Sequence, residues 1–192
     1  MTMQSALDEY PVPPGVELPK PQALMSLLSQ VELIGLPWTD FARALVTKGK
    51  LPSSWRELVI LRVAWRRRCP YALQAHRIVG RHYGLSEERI ALAMEEDGHL
   101  VMSPIDRVLI LATDELLEEG RIAASTKVAL QGFLDDGAII ELTMLAGQYV
   151  LLGMVCETFQ LVPEPALVRA TPTRPAAGSD CRREDSAGAL DG

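Results

Sequence analysis

Apolar residues recur along most of this chain at three- and four-residue steps, the spacing of one helical face, and they predict a series of helices. Residues 21–30 carry A-L-M-S-L-L, and residues 37–47 set Trp38, Phe41, Ala42 and Leu45 on one side. Ser54 before Trp55-Arg56-Glu57 reads as an S-x-x-E capping box, so a helix starts near residues 52–55. It runs through Leu58, Leu61 and Trp65 and ends in Arg66-Arg67-Arg68, where cations suit the negative helix end. Pro70 restarts the chain, being welcome in a first helical turn, and the next helix carries Tyr71 to Tyr83 and stops at Gly84.

Beyond it, Ser86 caps a helix through Met94, and residues 95–99 form a polar connection. Ser103-Pro104-Ile105-Asp106 opens a helix through Leu109 and Leu116 to Gly120, and another spans 124–134. The longest, 138–161, is apolar nearly all round. Gln148 interrupts it and Glu141 and Glu157 flank it, which predicts a central buried helix and not a membrane span. Gly147 and Gly153 would let that helix pack closely against others. The Ser54–Glu57 start is echoed at Ser103–Asp106, a weak sign of internal duplication. The fold class is therefore all-α, a bundle of roughly seven to eight helices over residues 21–162. Residues 1–20, with four prolines, predict an extended lead-in; residues 163–192 predict a disordered tail that includes Cys181.

Composition narrows the function. At 48% apolar, 192 residues hold one domain with a sizeable core. A net charge of −6 and the lack of a basic, aromatic groove pattern argue against nucleic acid. Cysteines at 69, 156 and 181 form neither a metal-type spacing nor a disulfide framework, which fits a reducing cytoplasm. The acidic N-terminus has no apolar core and predicts no signal peptide.

Candidate chemistry gathers in E57-LVILRVAWRRR-C69-P-Y-ALQA-H76. Cys69 lies at a helix start with arginines on either side in sequence, a setting that favours a thiolate. Cys69 and His76, seven positions apart, share a helical face but stand about 10 Å apart along the axis. Glu57, a water or a substrate would sit between them. Each residue also has a plain structural reading. Glu57 serves equally as the return half of the capping box, Cys69 as a small buried apolar group, and His76 as a core histidine. Tyr71 offers a pocket hydroxyl or packing, and the arginine run is a solvated helix end or an attractor of anions. Gln148 and Tyr149, an amide and a phenol in a greasy helix, need partners if buried and are candidate pocket residues. Trp38, Trp65 and Ala72 are candidate pocket walls; for Trp38, core packing is the plainer role.

The spacing E-x11-C-x6-H, with L-P-S-S-W-R-E-L-V-I-L-R-V-A-W before the thiol and P-Y-A-L-Q-A-H and Y-G-L-S-E-E-R-I after it, resembles the carboxymuconolactone decarboxylase and AhpD-like (alkyl hydroperoxidase D) family. S-P-I-D-R-V-L-I-L-A-T-D-E-L and L-A-G-Q-Y-V-L-L-G extend the resemblance over residues 20–165. It implies an all-helical, oligomeric (dimer, trimer or hexamer), cofactor-free and metal-free site in which Glu, Cys and His move protons. Peroxidase members carry C-x-x-C before the histidine, and their second cysteine attacks peroxide; here Ala72 stands at that position. No disulfide can form inside the motif, which favours the decarboxylase-like branch. The expected reaction is decarboxylation of a small anionic metabolite, a carboxylated lactone or β-keto acid, with isomerisation or cyclisation left open. His76 would be the general acid/base and Glu57 its orienting partner, with Cys69 and Tyr71 at the developing charge. Two alternatives remain: a one-cysteine hydroperoxide reductase, resolved by Cys156 or Cys181 only if the fold brings one near, and a non-catalytic oligomeric member.

Overall fold

The computed structural model describes residues 2, 3, 5 and 20–165. Among them the chain forms α1 (Gln22–Leu28), a 3-10 turn (Ser29–Val31), α2 (Glu32–Thr47), α3 (Ser53–Arg66), α4 (Pro70–His82), α5 (Glu87–Ala93), a second 3-10 turn (Gly98–Val101), α6 (Pro104–Glu118), α7 (Ala124–Gln131) and α8 (Asp136–Thr158), and no strand. The fold is all-α, as the periodicity predicts.

The centre of the bundle is α3. Every residue from Arg56 to Ala64 is buried, and Leu58 to Leu61 have no exposed surface at all. Such a helix needs neighbours on every side, and α4, α6 and α8 supply them. Its buried charges are paired. Arg62 forks onto Asp114, with both N–H···O distances 2.7 Å, and donates to the carbonyls of Ala93, Glu95 and Glu96. A guanidinium this deep is tolerable only with its donors satisfied in this way.

That centre corrects one expectation. The long helix α8 buries Leu142, Leu145, Ala146, Tyr149 and Cys156 on one face, whereas Ile140, Met144, Leu151 and Met154 on the other remain 46–60% exposed. By length and composition it could cross a membrane. Within the fold its inner face instead carries Gln148 and Tyr149 into the core. Its all-round apolarity reflects two faces with different surroundings.

Three of the helix starts are closed by the side chain that the local chemistry favours. The Ser86 and Ser103 hydroxyls accept from the Arg89 and Asp106 amides at 3.2 Å, and Asp135 caps α8 through the Ala138 amide at 2.7 Å. Gly84 (φ +85°) and Gly120 (φ +70°) supply the left-handed turns that end α4 and follow α6. At α3, however, Pro52 is the N-cap and no side chain closes it. The capping box is not formed, so Glu57 is free for other work, and the echo between the two helix starts does not extend to their caps. Helix α2 begins five residues before Pro37 and keeps that proline inside it, one backbone bond short.

Of the lead-in, Met3 and Ser5 are helical, and Met3 is buried with its amide on Glu32 Oε1 at 3.2 Å. The rest of the expected lead-in, and residues 166–192 of the expected tail with Cys181, lie outside the described residues.

Candidate active site

Three helices deliver one polar chain into the core. Glu57 projects from the second turn of α3, His76 from the middle of α4, and Tyr149 from the inner face of α8. The Glu57 Oε2–His76 Nδ1 distance is 2.7 Å, and Tyr149 Oη lies 2.9 Å from His76 Nε2. An ionised carboxylate can only accept, so Nδ1 carries the proton; in the neutral ring Nε2 is then the acceptor of the phenol O–H. The two rings meet edge-on, their centroids 5.0 Å apart at 87°. The Glu57 side chain is 1% exposed and that of His76 13%.

Arg56 supplies the counter-charge. Its Nε donates to Glu57 Oε1 at 3.2 Å and its Nη1 to the Val46 carbonyl at 2.9 Å, while the guanidinium lies 5.2 Å over the Tyr83 ring. The side chain is 4% exposed, and Nη2 is a buried donor with no partner among the described residues. Sequence reading missed Arg56. Its only signal was adjacency to Glu57, which on a helix ordinarily points two side chains apart.

The remaining predicted residues divide. Trp38 Nε1 donates to Gln148 Oε1 at 2.6 Å, so the amide and phenol of α8 serve different partners. Tyr71 Oη donates to Glu164 Oε1 at 3.0 Å, a partner beyond α8 to which no motif in the chain points. Trp65 lies under the Arg62 guanidinium at 4.8 Å and lines a cleft of about 440 Å³ at the far end of α3. Arg66, Arg67, Arg68, Glu96, Leu117 and Glu118 complete that cleft, where Arg66 pairs with Glu96 and Glu118. Ala72 is buried in the first turn of α4.

Cys69 is the N-cap residue of α4 and 1% exposed. Its thiol is held down at about 7, chiefly by a hydrogen bond from the Cys156 thiol of α8; burial opposes this, and the Ala72 and Tyr71 amides assist without closing a cap. The arginine run is thus not the main source of thiolate stabilisation. The same contact, with burial, pushes the Cys156 thiol far up. Two contacts now define how α4 meets α8: His76 with Tyr149, and Cys69 with Cys156. Each helix advances seven positions between them, in opposite directions, so the helices run antiparallel. Ala72 and Gly153 fall between, three positions from each cysteine, and small residues there permit the close approach. A Cβ on Gly153 would already stand 3.8 Å from Cys69 Cβ. Among the described residues no cluster of three or more His, Cys, Asp or Glu gathers as metal ligands.

An all-α bundle with a buried carboxylate–imidazole–phenol chain defines a helical protein equipped for acid/base chemistry. Residues 35–114 match the model of the carboxymuconolactone decarboxylase family, a span that includes Glu57, Cys69 and His76. The fold is similar to that of an Agrobacterium tumefaciens protein of unknown function associated with AhpD antioxidant defence, at TM-score 0.62 and 19% identity, covering 71% of this chain and 94% of that one. It is also similar to an uncharacterised peroxidase-related protein from Silicibacter sp., at TM-score 0.66 and 16% identity, covering 76% and 77%. No curated protein matches the chain. The family match thus covers the segment from Glu57 to His76, and beyond it the likeness to the two solved structures is one of fold.

Proposed function

We propose that this protein is a decarboxylase-like enzyme that uses its own side chains to move a proton on a small carboxylated metabolite, a lactone or a β-keto acid. The observation that carries the reading is the unbroken chain Glu57–His76–Tyr149, with contacts of 2.7 and 2.9 Å. The unpartnered Nη2 of Arg56, one residue from Glu57, supports an anionic substrate, because a buried cationic donor without a partner is costly.

Loss of CO₂ breaks a carbon–carbon bond and leaves its electron pair on the carbon as an enolate. With the imidazole protonated, Nε2–H donates to Tyr149 Oη, and the phenol passes its own proton to that carbon. Glu57 stabilises the imidazolium, and a solvent proton later restores it. With the imidazole neutral, the chain runs in reverse and removes a proton, which would serve isomerisation or cyclisation. Cys69 and Tyr71 have their own partners, Cys156 and Glu164, and are not needed for this relay. The open face of α8 supports assembly from copies of this chain.

The test is a screen of carboxylated lactones and β-keto acids for CO₂ release and ring change. His76→Ala, Glu57→Gln and Tyr149→Phe are measured beside the wild type. Each should lower turnover about 10²-fold or more. Turnover unaffected by all three would sink the reading.

A further inference from the structure

Cys69 and Cys156 are distant in sequence and adjacent in the fold. Cys69 stands at the N-terminus of α4, and Cys156 lies seven residues beyond Tyr149 on α8. Both are buried, at 1% and 0% exposure. The backbone of α8 runs directly against Cys69: a Cβ placed on Gly153, one turn before Cys156, would stand 3.8 Å from Cys69 Cβ. The rung formed by His76 and Tyr149 fixes the register of the two helices. The contact is therefore built into the antiparallel packing and does not hang on one side-chain rotamer.

We propose that Cys69 and Cys156 form a redox-active dithiol pair that closes to an intrachain disulfide on reaction with a small hydroperoxide. The pair joins two helices and involves no second cysteine within the motif, where Ala72 stands. It is a site separate from the acid/base relay.

The steps balance. The Cys69 thiolate attacks one peroxide oxygen, the O–O bond breaks, and water or an alcohol leaves after taking up a proton. Cys69 is now a sulfenic acid. The Cys156 sulfur then attacks the Cys69 sulfur, the S–O bond breaks, and the hydroxyl leaves as water with the thiol's proton. Two electrons from the two thiols have reduced one peroxide bond. A small external thiol returns both cysteines to the reduced state by two exchange steps, becoming a disulfide itself. Cys69 is the attacking sulfur because the Cys156 thiol and the α4 amides favour its thiolate, whereas Cys156 keeps its proton. Burial of both sulfurs restricts the oxidant to small peroxides.

The experiment uses the full chain carrying Cys181→Ser, so that two thiols remain. Reduced protein receives equimolar hydrogen peroxide, is denatured with an alkylating agent, and is mapped by mass spectrometry and non-reducing electrophoresis. The expected result is loss of both thiols together, one crosslinked peptide pair joining Cys69 to Cys156 within a single chain, and recovery of both by dithiothreitol. With Cys156→Ala, Cys69 should accumulate as a sulfenic acid that dimedone traps. The proposal is overturned if both thiols stay alkylatable, if Cys69 is oxidised while Cys156 stays free, or if the crosslink joins two chains. The readout is the state of the thiols, so it is independent of whether any carboxylated metabolite is turned over.

Discussion

Glu57→Gln preserves the shape of the side chain and removes one charge and one acceptor. The carboxylate is 1% exposed and receives His76 Nδ1 at 2.7 Å and Arg56 Nε at 3.2 Å. An amide has a single oxygen for these two donors. If the oxygen stays with Arg56, the amide N–H meets Nδ1, and the imidazole must carry its proton on Nε2 and donate to Tyr149. If it stays with His76, Arg56 Nε loses its acceptor, and in both cases the buried Arg56 loses its counter-charge. Removing one member of a buried ion pair costs about 3–5 kcal/mol. The Val46 carbonyl and the Tyr83 ring still hold Arg56, which puts this case at the lower end, about 3 kcal/mol. For a chain of this size that is a fall in Tm of about 6–12 °C. Arg56→Met in the same chain removes the orphaned cation, so the double variant should melt above Glu57→Gln alone. Thermal unfolding by circular dichroism for the wild type, both single variants and the double variant gives the coupling. NMR of nitrogen-labelled histidine reports which ring nitrogen of His76 carries the proton. The reasoning is refuted if Glu57→Gln melts with the wild type and leaves the His76 tautomer unchanged, or if the two single effects simply add.

Four further outcomes follow from the structure. The ultraviolet absorbance of the Cys69 thiolate should titrate near pH 7, and Cys156→Ala should move that midpoint up, since the Cys156 hydrogen bond is the largest cause of the shift. Because the folded-state value lies below the ordinary 9.0, Cys69 contributes stability that is full above about pH 9 and is lost as the pH falls through about 7; melting curves of wild type and Cys69→Ala across that window should converge at the acid end. Gly153→Ala should be tolerated, its Cβ meeting Arg67 Cβ at 3.4 Å, but Gly153→Leu should force α4 from α8 and cost about 1–3 kcal/mol, measured by denaturant unfolding. Met144→Lys with Leu151→Lys, on the open face of α8, should reduce the sedimenting mass without changing the far-ultraviolet spectrum; an unchanged mass would show that the stripe is not an interface.

The helices were legible because each carries its own period and its own stops: Gly84 and Gly120 end segments, and Ser86 and Ser103 begin them. Glu57 and His76 were legible as a pair through motif spacing, although local rules offered a competing role for Glu57. The capping box fails because Pro52 takes the cap position, and the Glu57 side chain then turns inward to His76. Partners contributed by distant helices left no such trace. Tyr149 was readable as a polar group in need of a partner, but nothing in one helix states which ring it meets. Burial of α8 was overread for a related reason, since periodicity cannot distinguish an apolar face that packs within the subunit from one left open.

Ala72 shows most clearly how a motif read alone can mislead. Within E-x11-C-x6-H, alanine where peroxidase relatives carry cysteine reads as thiol chemistry lost, because a disulfide needs its two sulfurs within about 2 Å and no second sulfur lies nearby in sequence. In the fold, Ala72 falls between the two rungs that join α4 to α8, three positions from Cys69, as Gly153 lies three positions from Cys156. A bulky side chain at either place, well beyond a methyl group, would press the helices apart and so strain both the His76–Tyr149 and the Cys69–Cys156 contacts. The small residue inside the motif and the thiol outside it are two parts of one packing arrangement. A cysteine restored at position 72 would compete with Cys156 for Cys69 and crowd the rung on which the acid/base chain depends. Ala72→Cys should therefore lower Tm and divide the peroxide-induced crosslink between two partners, whereas Ala72→Gly should leave the Cys69–Cys156 link intact.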